Sequence, residues 1–177
     1  MTSVIVLADT HLETELPERL FEVIKTADMI LHAGDFVSRK AYDSFRELSH
    51  LEAVQGNADS ANLKKMLPKK KVLEVDGIKI GLVHQASYHP NTLGANMLAR
   101  EMNVHVLVFG HIHRPIVEKR DRLLLCPGSP TLPRMSPPTI AELIIEDEGV
   151  NGKIIPLGDP VCNYLKFAES LFEGRKK

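Results

Sequence analysis

An α/β sandwich, with two facing mixed β-sheets flanked by helices, is the fold the sequence predicts. Three features carry that expectation. Residues 4–54 alternate short β-branched runs with helical stripes. This β-α-β-α-β order implies a mainly parallel sheet with helices packed on it. Residues 72–83 hold two apolar runs around Asp76-Gly77, a strong hairpin turn. Beyond residue 110 the pattern turns to strands without long helices, which together with the earlier runs suggests two facing sheets flanked by helices.

The elements follow in order. Residues 4–8 are an uninterrupted aliphatic run, as in a strand buried on both faces. A helix begins at about Pro17, which suits a first helical turn, with Leu20, Val23, Ile24 and Ala27 as its stripe. Residues 29–32 form a second buried strand, ending at Gly34-Asp35. Ser38 caps a helix carrying Ala41, Tyr42, Phe45 and Leu48. Residues 51–54 form a third strand, ending at Gly56-Asn57. Ser60 caps a short helix that Pro68 stops, and strands at 72–75 and 78–83 pair as the hairpin.

Asn91 caps a helix reaching about Met102, and a strand over 104–109 ends at Gly110-His111. Strands over 116–119, 123–126, 139–145 and 150–157 follow. An amphipathic helix over 161–172 closes the pattern, and 174–177 fray. With no linker, repeat or low-complexity segment, residues 1–177 are expected to form a single domain.

Composition narrows the function classes. The chain is 44% hydrophobic and 25% charged, with a net charge of −1. No global positive field draws it to nucleic acid or membrane. Aromatics are 5% and Trp is absent, which argues against a long nucleic-acid track. Lys64, Lys65, Lys69, Lys70 and Lys71 are a local exception, read as a solvated helix end and loop. Cys126 and Cys162 show no paired spacing and read as apolar residues of a reducing compartment. No leader pattern and no bilayer-length apolar run is present, so a cytoplasmic location is expected.

Seven residues look chosen for metal: Asp9, His11, Asp35, Asn57, His84, His111 and His113. They form five clusters, D-x-H, G-D, G-N, V-H and G-H-x-H, most of them at a strand end. Strand ends in α/β sheets are where ligands bind. In an extended segment residues i and i+2 point the same way, so Asp9 with His11, and His111 with His113, could each serve one ion. The glycines before the ligands suit sharp turns and close approach of loops. Mixed oxygen and nitrogen donors without thiolate suit Mn, Fe, Ni, Co or Zn better than Ca, and argue against a structural zinc site. Two dications against two carboxylates would leave about +2, which favours a phosphate dianion. Each cluster alone reads more blandly, as a turn or a core histidine. Their joint occurrence in order is what carries the metal reading.

At these residues the chain resembles the calcineurin-like metallophosphoesterase family, and within it the small YfcE-like phosphodiesterase branch. The motifs are Asp9/His11, Gly34/Asp35, Gly56/Asn57, His84 and Gly110/His111/His113, with a further loop at Cys126-Pro127-Gly128-Ser129 and Pro133-Arg134. The resemblance implies a two-sheet sandwich with two divalent metals, manganese first among the candidates. Asp9, His11, Asp35 and His113 would hold one metal. Asp35 would bridge to a second, held by Asn57, His84 and His111. A hydroxide between the metals would attack phosphorus in line.

There are departures from the family pattern. Larger members place a leaving-group His directly after the ligand Asn, where this chain has Ala58. The proton donor is then unassigned; Asp59, if burial raises its pKa, or a second histidine could serve as acid. His89 is a candidate substrate contact, set against a plain surface-loop histidine. Cys126 stands where the branch has Asn, at the cost of a side-chain hydrogen bond. His32 reads either as a group orienting a ligand or as a core histidine. Arg134 reads as a phosphate partner or a surface residue, and His50 and His105 as structural.

The expected activity is a two-metal phosphodiesterase acting on small organic phosphoesters or nucleotides, with a homo-oligomer allowed. A phosphomonoesterase would share all seven ligands. The rival is a non-catalytic protein-binding scaffold like the retromer subunit built on this fold.

Overall fold

A computed structural model describes residues 3–86, 92–146 and 149–159. The expected helix over 161–172, the Asn91 cap, Cys162 and His89 lie outside the described residues. The first sheet is built from β1 (Ser3–Leu7), β2 (Met29–His32), β3 (His50–Ala53), β9 (Thr139–Glu146) and β10 (Gly149–Pro156), in the order β10-β9-β1-β2-β3. The second contains β4 (Lys70–Val75), β5 (Ile78–Val83), β6 (Val106–Val108), β7 (Pro115–Lys119) and β8 (Leu123–Pro127), in the order β4-β5-β6-β8-β7. Both are mixed. β1, β2 and β3 run parallel, as do β5, β6 and β8, while the remaining pairs are antiparallel.

Alternation explains the unbroken apolar runs. Val4 and Val6 of β1 join the core between the sheets, with Ile80, Leu82, Val106 and Val108 opposite. Ile5 and Leu7 face the other way, onto the helices. A strand covered on both faces has no polar side to show.

The helices are short: α1 (Glu18–Ile24), α2 (Arg39–Leu48), α3 (Ala61–Met66) and α4 (Leu93–Glu101). Ala27 belongs to the helical core cluster but follows α1 rather than extending it. Ser38 caps α2 as expected, its Oγ accepting from Ala41 N–H at 3.0 Å. Ser60 takes the N-cap position of α3 without a side-chain bond. Its N–H is given instead to the Val37 carbonyl at 3.0 Å. α2 buries Ala41 and Phe45 against the first sheet, where Phe45 meets Phe36 at 5.7 Å between centroids. Phe45→Ala would cost about 3 to 5 kcal/mol. α4 covers the outer face of the second sheet through Ala95 and Ala99. Cys126 is buried in that layer, so its side chain is a packing group and burial pushes its thiol pKa up. The turn at Asp76-Gly77 has φ of 48° and 79°, the left-handed pair of a type I′ hairpin. Among the described residues no helix is long and apolar enough to cross a membrane.

Candidate metal centre

Every metal-ligand candidate follows the C-terminal end of a parallel strand. Asp9 and His11 leave β1, Asp35 leaves β2, Asn57 leaves β3, His84 leaves β5, and His111 and His113 leave β6. The two sheets bring these ends together at one edge of the sandwich, and the donor atoms meet there.

Asp9, His11, Asp35 and His113 place one donor atom each within 4.8 Å of one another. His11 Nε2 lies 3.3 Å from His113 Nε2 and 3.5 Å from Asp35 Oδ2, and His113 Nε2 lies 3.4 Å from Asp9 Oδ1. On the other side Asn57 Oδ1 is 2.8 Å from both His84 Nε2 and His111 Nδ1. His84 Nε2 is also 3.4 Å from Asp35 Oδ2. One oxygen, Asp35 Oδ2, therefore touches both groups.

These separations fit a metal. Ligand atoms about 2.1 Å from a shared ion lie about 3.0 to 3.4 Å apart. The tautomers agree. His84 Nδ1 donates to the Ala33 carbonyl at 2.8 Å and His113 Nδ1 to the Leu132 carbonyl at 2.7 Å. Each then turns a bare Nε2 lone pair into the centre. His84 Nε2 and Asn57 Oδ1 are two acceptors face to face, an arrangement that a cation between them relieves.

Burial sets the charge states. It pushes the Asp9 carboxyl up to about 8, with the Asp35 carboxylate as the second cause. It holds His84 and His113 below the ordinary imidazole value, in the neutral form that ligates. A cation would reverse the penalty on Asp9.

The local backbone departs from the extended geometry assumed from sequence. Asp9, His11, Asp35, His111 and His113 have φ of 53°, 43°, 64°, 73° and 55°. This left-handed conformation is disfavoured for residues other than glycine. Asp9 and His11 still converge, but His111 and His113 separate. His113 joins Asp9 and His11, whereas His111 joins Asn57 and His84. The i, i+2 reading of G-H-x-H is corrected: left-handed residues in both motifs remove the alternation that a strand would impose, so spacing alone decides neither pair. The glycines act mainly by absence of a side chain. A Cβ on Gly56 would fall 2.1 Å from Asp35 Oδ1, and one on Gly110 would fall 2.8 Å from Ala8 Cβ.

Two supporting residues, Thr10 and Thr131, were not singled out by sequence. Thr10 Oγ1 sits 3.1 Å from His32 Nε2, and His32 Nδ1 accepts from Gly34 N–H at 3.2 Å. The His32 Nε2–H thus donates to Thr10. His32 is fully buried against Phe36, and burial holds its pKa well below the usual value. Ser129 Oγ donates to the Asp9 carbonyl at 2.6 Å and Thr131 Oγ1 to the Thr10 carbonyl at 2.5 Å. Ser129 had a sequence signal in the loop after Cys126, while Thr10 and Thr131 had none. Lys64, one of the basic run, donates to the Asn57 carbonyl at 2.6 Å. His50 pairs with Glu52 at 3.1 Å, and His105 Nδ1 accepts from Lys79 N–H at 3.0 Å, both structural roles.

The model of the calcineurin-like phosphoesterase superfamily domain matches residues 2–148. A probable metallophosphoesterase of Methanocaldococcus jannaschii is 40% identical over 158 residues, 86% of this chain and 80% of that protein. A predicted phosphoesterase from Streptococcus pneumoniae has a similar structure, with TM-score 0.71 at 23% identity over 92% of this chain and 93% of that one. Vps29 of Entamoeba histolytica, in a complex with zinc, also has TM-score 0.71, at 21% identity over 89% of this chain and 100% of that one. At these identities the two structures speak to the fold alone.

Proposed function

The chain belongs to the calcineurin-like phosphoesterase superfamily, and from that premise we propose that it is a two-metal phosphodiesterase of small organic phosphoesters or nucleotides, in the manner of the YfcE-like branch. The observation that carries the reading is Asp35 Oδ2, which lies 3.5 Å from His11 Nε2 and 3.4 Å from His84 Nε2. It joins two donor groups into one centre. Asp9, His11 and His113 would hold one cation with Asp35, and Asn57, His84 and His111 the other. When bound, the two ions, manganese first and Ni, Fe, Co or Zn as alternatives, lower the pKa of water and offset charge on phosphoryl oxygens.

The chain's own residues orient this centre. The Ala33 and Leu132 carbonyls fix two imidazoles, and the His111 N–H fixes Asp9 through bonds of 3.1 and 2.9 Å to its two carboxylate oxygens. Arg134 acts on Asp9 electrostatically, and its guanidinium would be a partner for an anionic substrate. His89 is a candidate substrate contact. The proposal extends to a single domain over residues 1–177, a cytoplasmic location and an optional homo-oligomer.

The test is direct. Purified protein with Mn²⁺ should hydrolyse an activated aryl phosphodiester, and Asp35→Asn or His84→Ala should abolish turnover. Comparable rates in the wild type and both variants would sink the reading. A scaffold role is the second reading, supported by Leu93 and Met97, which are 60% and 64% exposed on α4. A protein that takes up no transition metal, stays inactive and binds a partner through α4 would establish it instead.

A further inference from the structure

Asp59 is only 4% exposed, yet it stands two residues from Asn57. Its carboxylate accepts from three backbone N–H groups: Val37 at 2.8 Å through Oδ1, and Gly56 at 2.7 Å and Asp35 at 3.3 Å through Oδ2. Two of these belong to the loop after β2, and the third to the loop after β3. In the opposite direction, Ala58 N–H donates to Asp35 Oδ1 at 2.7 Å. Each loop thus gives the other a carboxylate and receives an N–H in return. The bond from Ala58 occupies Oδ1 and leaves Asp35 Oδ2 to face His11 and His84. Asp59 also satisfies the N–H of Val37, a β-branched residue held at φ 78°. That conformation is disfavoured and persists only where its surroundings enforce it.

We infer that Asp59 is a positioning residue that fixes the bridging carboxylate of Asp35 against Asn57, and that it is not the leaving-group acid. The inference rests on the two-metal reading above. A general acid must turn an O–H toward the departing oxygen. Both oxygens of Asp59 are turned instead to backbone donors, which the acceptor-only carboxylate suits. Fixing the two loops sets the spacing between the donor group around Asp9 and the one around Asn57. The role is exerted through the ligands, without contact with substrate.

Asp59→Asn tests this, because an amide replaces one acceptor oxygen with a donor facing N–H groups. Binding of the second Mn²⁺ equivalent should weaken by about 10- to 100-fold, the usual cost of losing a partner that orients a ligand. The electron paramagnetic resonance spectrum of the Mn²⁺-loaded protein should shift from an exchange-coupled pair toward isolated ions. Turnover should fall by the same factor for an aryl phosphodiester with a good leaving group and for an alkyl one with a poor leaving group. Asp59→Glu, which keeps the acceptor charge, should recover part of the second-metal affinity, and it serves if the Asn variant does not fold.

The opposite pattern overturns the inference. Wild-type metal affinity with a loss confined to the poor leaving group would make Asp59 the acid, and no change in either property would make it inert. In the metal-free protein, amide exchange at Asp35, Val37 and Gly56 should accelerate in Asp59→Asn. Unchanged protection at those three amides would also overturn the role. That readout decides the positioning claim even if wild-type protein takes up fewer than two ions, a result that would count against the two-metal reading itself.

Discussion

The two halves of the centre are built differently. Asp9, Asp35 and His113 are buried and His11 half-buried, whereas Asn57 is exposed and His111 half-buried, with only His84 fully covered. The first half holds two carboxylates and two imidazoles. The second has one neutral amide, two imidazoles and a share in Asp35. A dication in the first half meets two negative charges in a low-dielectric setting, where each attraction is stronger. A dication in the second meets one shared charge nearer to water. On the two-metal proposal, the contrast would suit one half to holding its ion and the other to exchanging its ion or opening to substrate.

The largest effect should come from removing the shared oxygen. Asp35→Asn should lower turnover about 10³-fold, the upper end of the scale for losing a transition-state stabiliser. Metal binding should weaken in both halves together, as isothermal titration with Mn²⁺ would show. Loss from one half only would mean that Asp35 does not join them.

Next come variants confined to one half. His111→Ala should weaken one equivalent, the looser, by more than the about 10- to 100-fold typical of an outer partner. Asp9→Asn should weaken the tighter one instead. If both variants affect the same equivalent, the division between the halves is wrong.

A packing change should follow. In Gly56→Ala the new methyl meets Asp35 Oδ1 and N at 2.1 and 2.3 Å, with no flexible chain end to yield. The cost should be about 1 to 3 kcal/mol of stability, with metal binding disturbed as well. A melting temperature equal to wild type would show that the loops have slack.

These predictions also mark what was legible in sequence. The seven candidates could be singled out in sequence, because aspartate, asparagine and histidine after apolar runs have few other reasons to recur. The two-sheet sandwich was legible from the unbroken run at β1 and the strand-rich second half. The allocation of His111 and His113 from residue spacing was not. Alternation assumes extended backbone, and φ of 73° and 55° at these residues invalidates it. The three N–H groups around Asp59 were not legible either, because tertiary folding gathers them from two loops that no local pattern links. Lys64 looked like part of a solvated basic run until the fold placed its ammonium on the Asn57 carbonyl.

The smallest effect tests the support beneath the buried half. Burial holds His32 neutral, with a pKa well below 6.5 in the folded chain. The unfolded chain takes up the proton first, so stability is whole above about pH 6.5 and declines as pH falls below it. The slope from this one group is at most about 1.4 kcal/mol per pH unit. Urea denaturation of wild type and His32→Gln across this range should show a shallower decline in the variant. Equal slopes would remove His32 from the account.

The central claim is that two unlike halves act as one centre through Asp35. Its most direct measurement is stepwise Mn²⁺ titration of the metal-free wild type, with phosphodiester turnover followed at each step. The account predicts two equivalents of unequal affinity, with turnover appearing only as the second, weaker one binds. Full turnover at one equivalent, or saturation with a single ion, would contradict it.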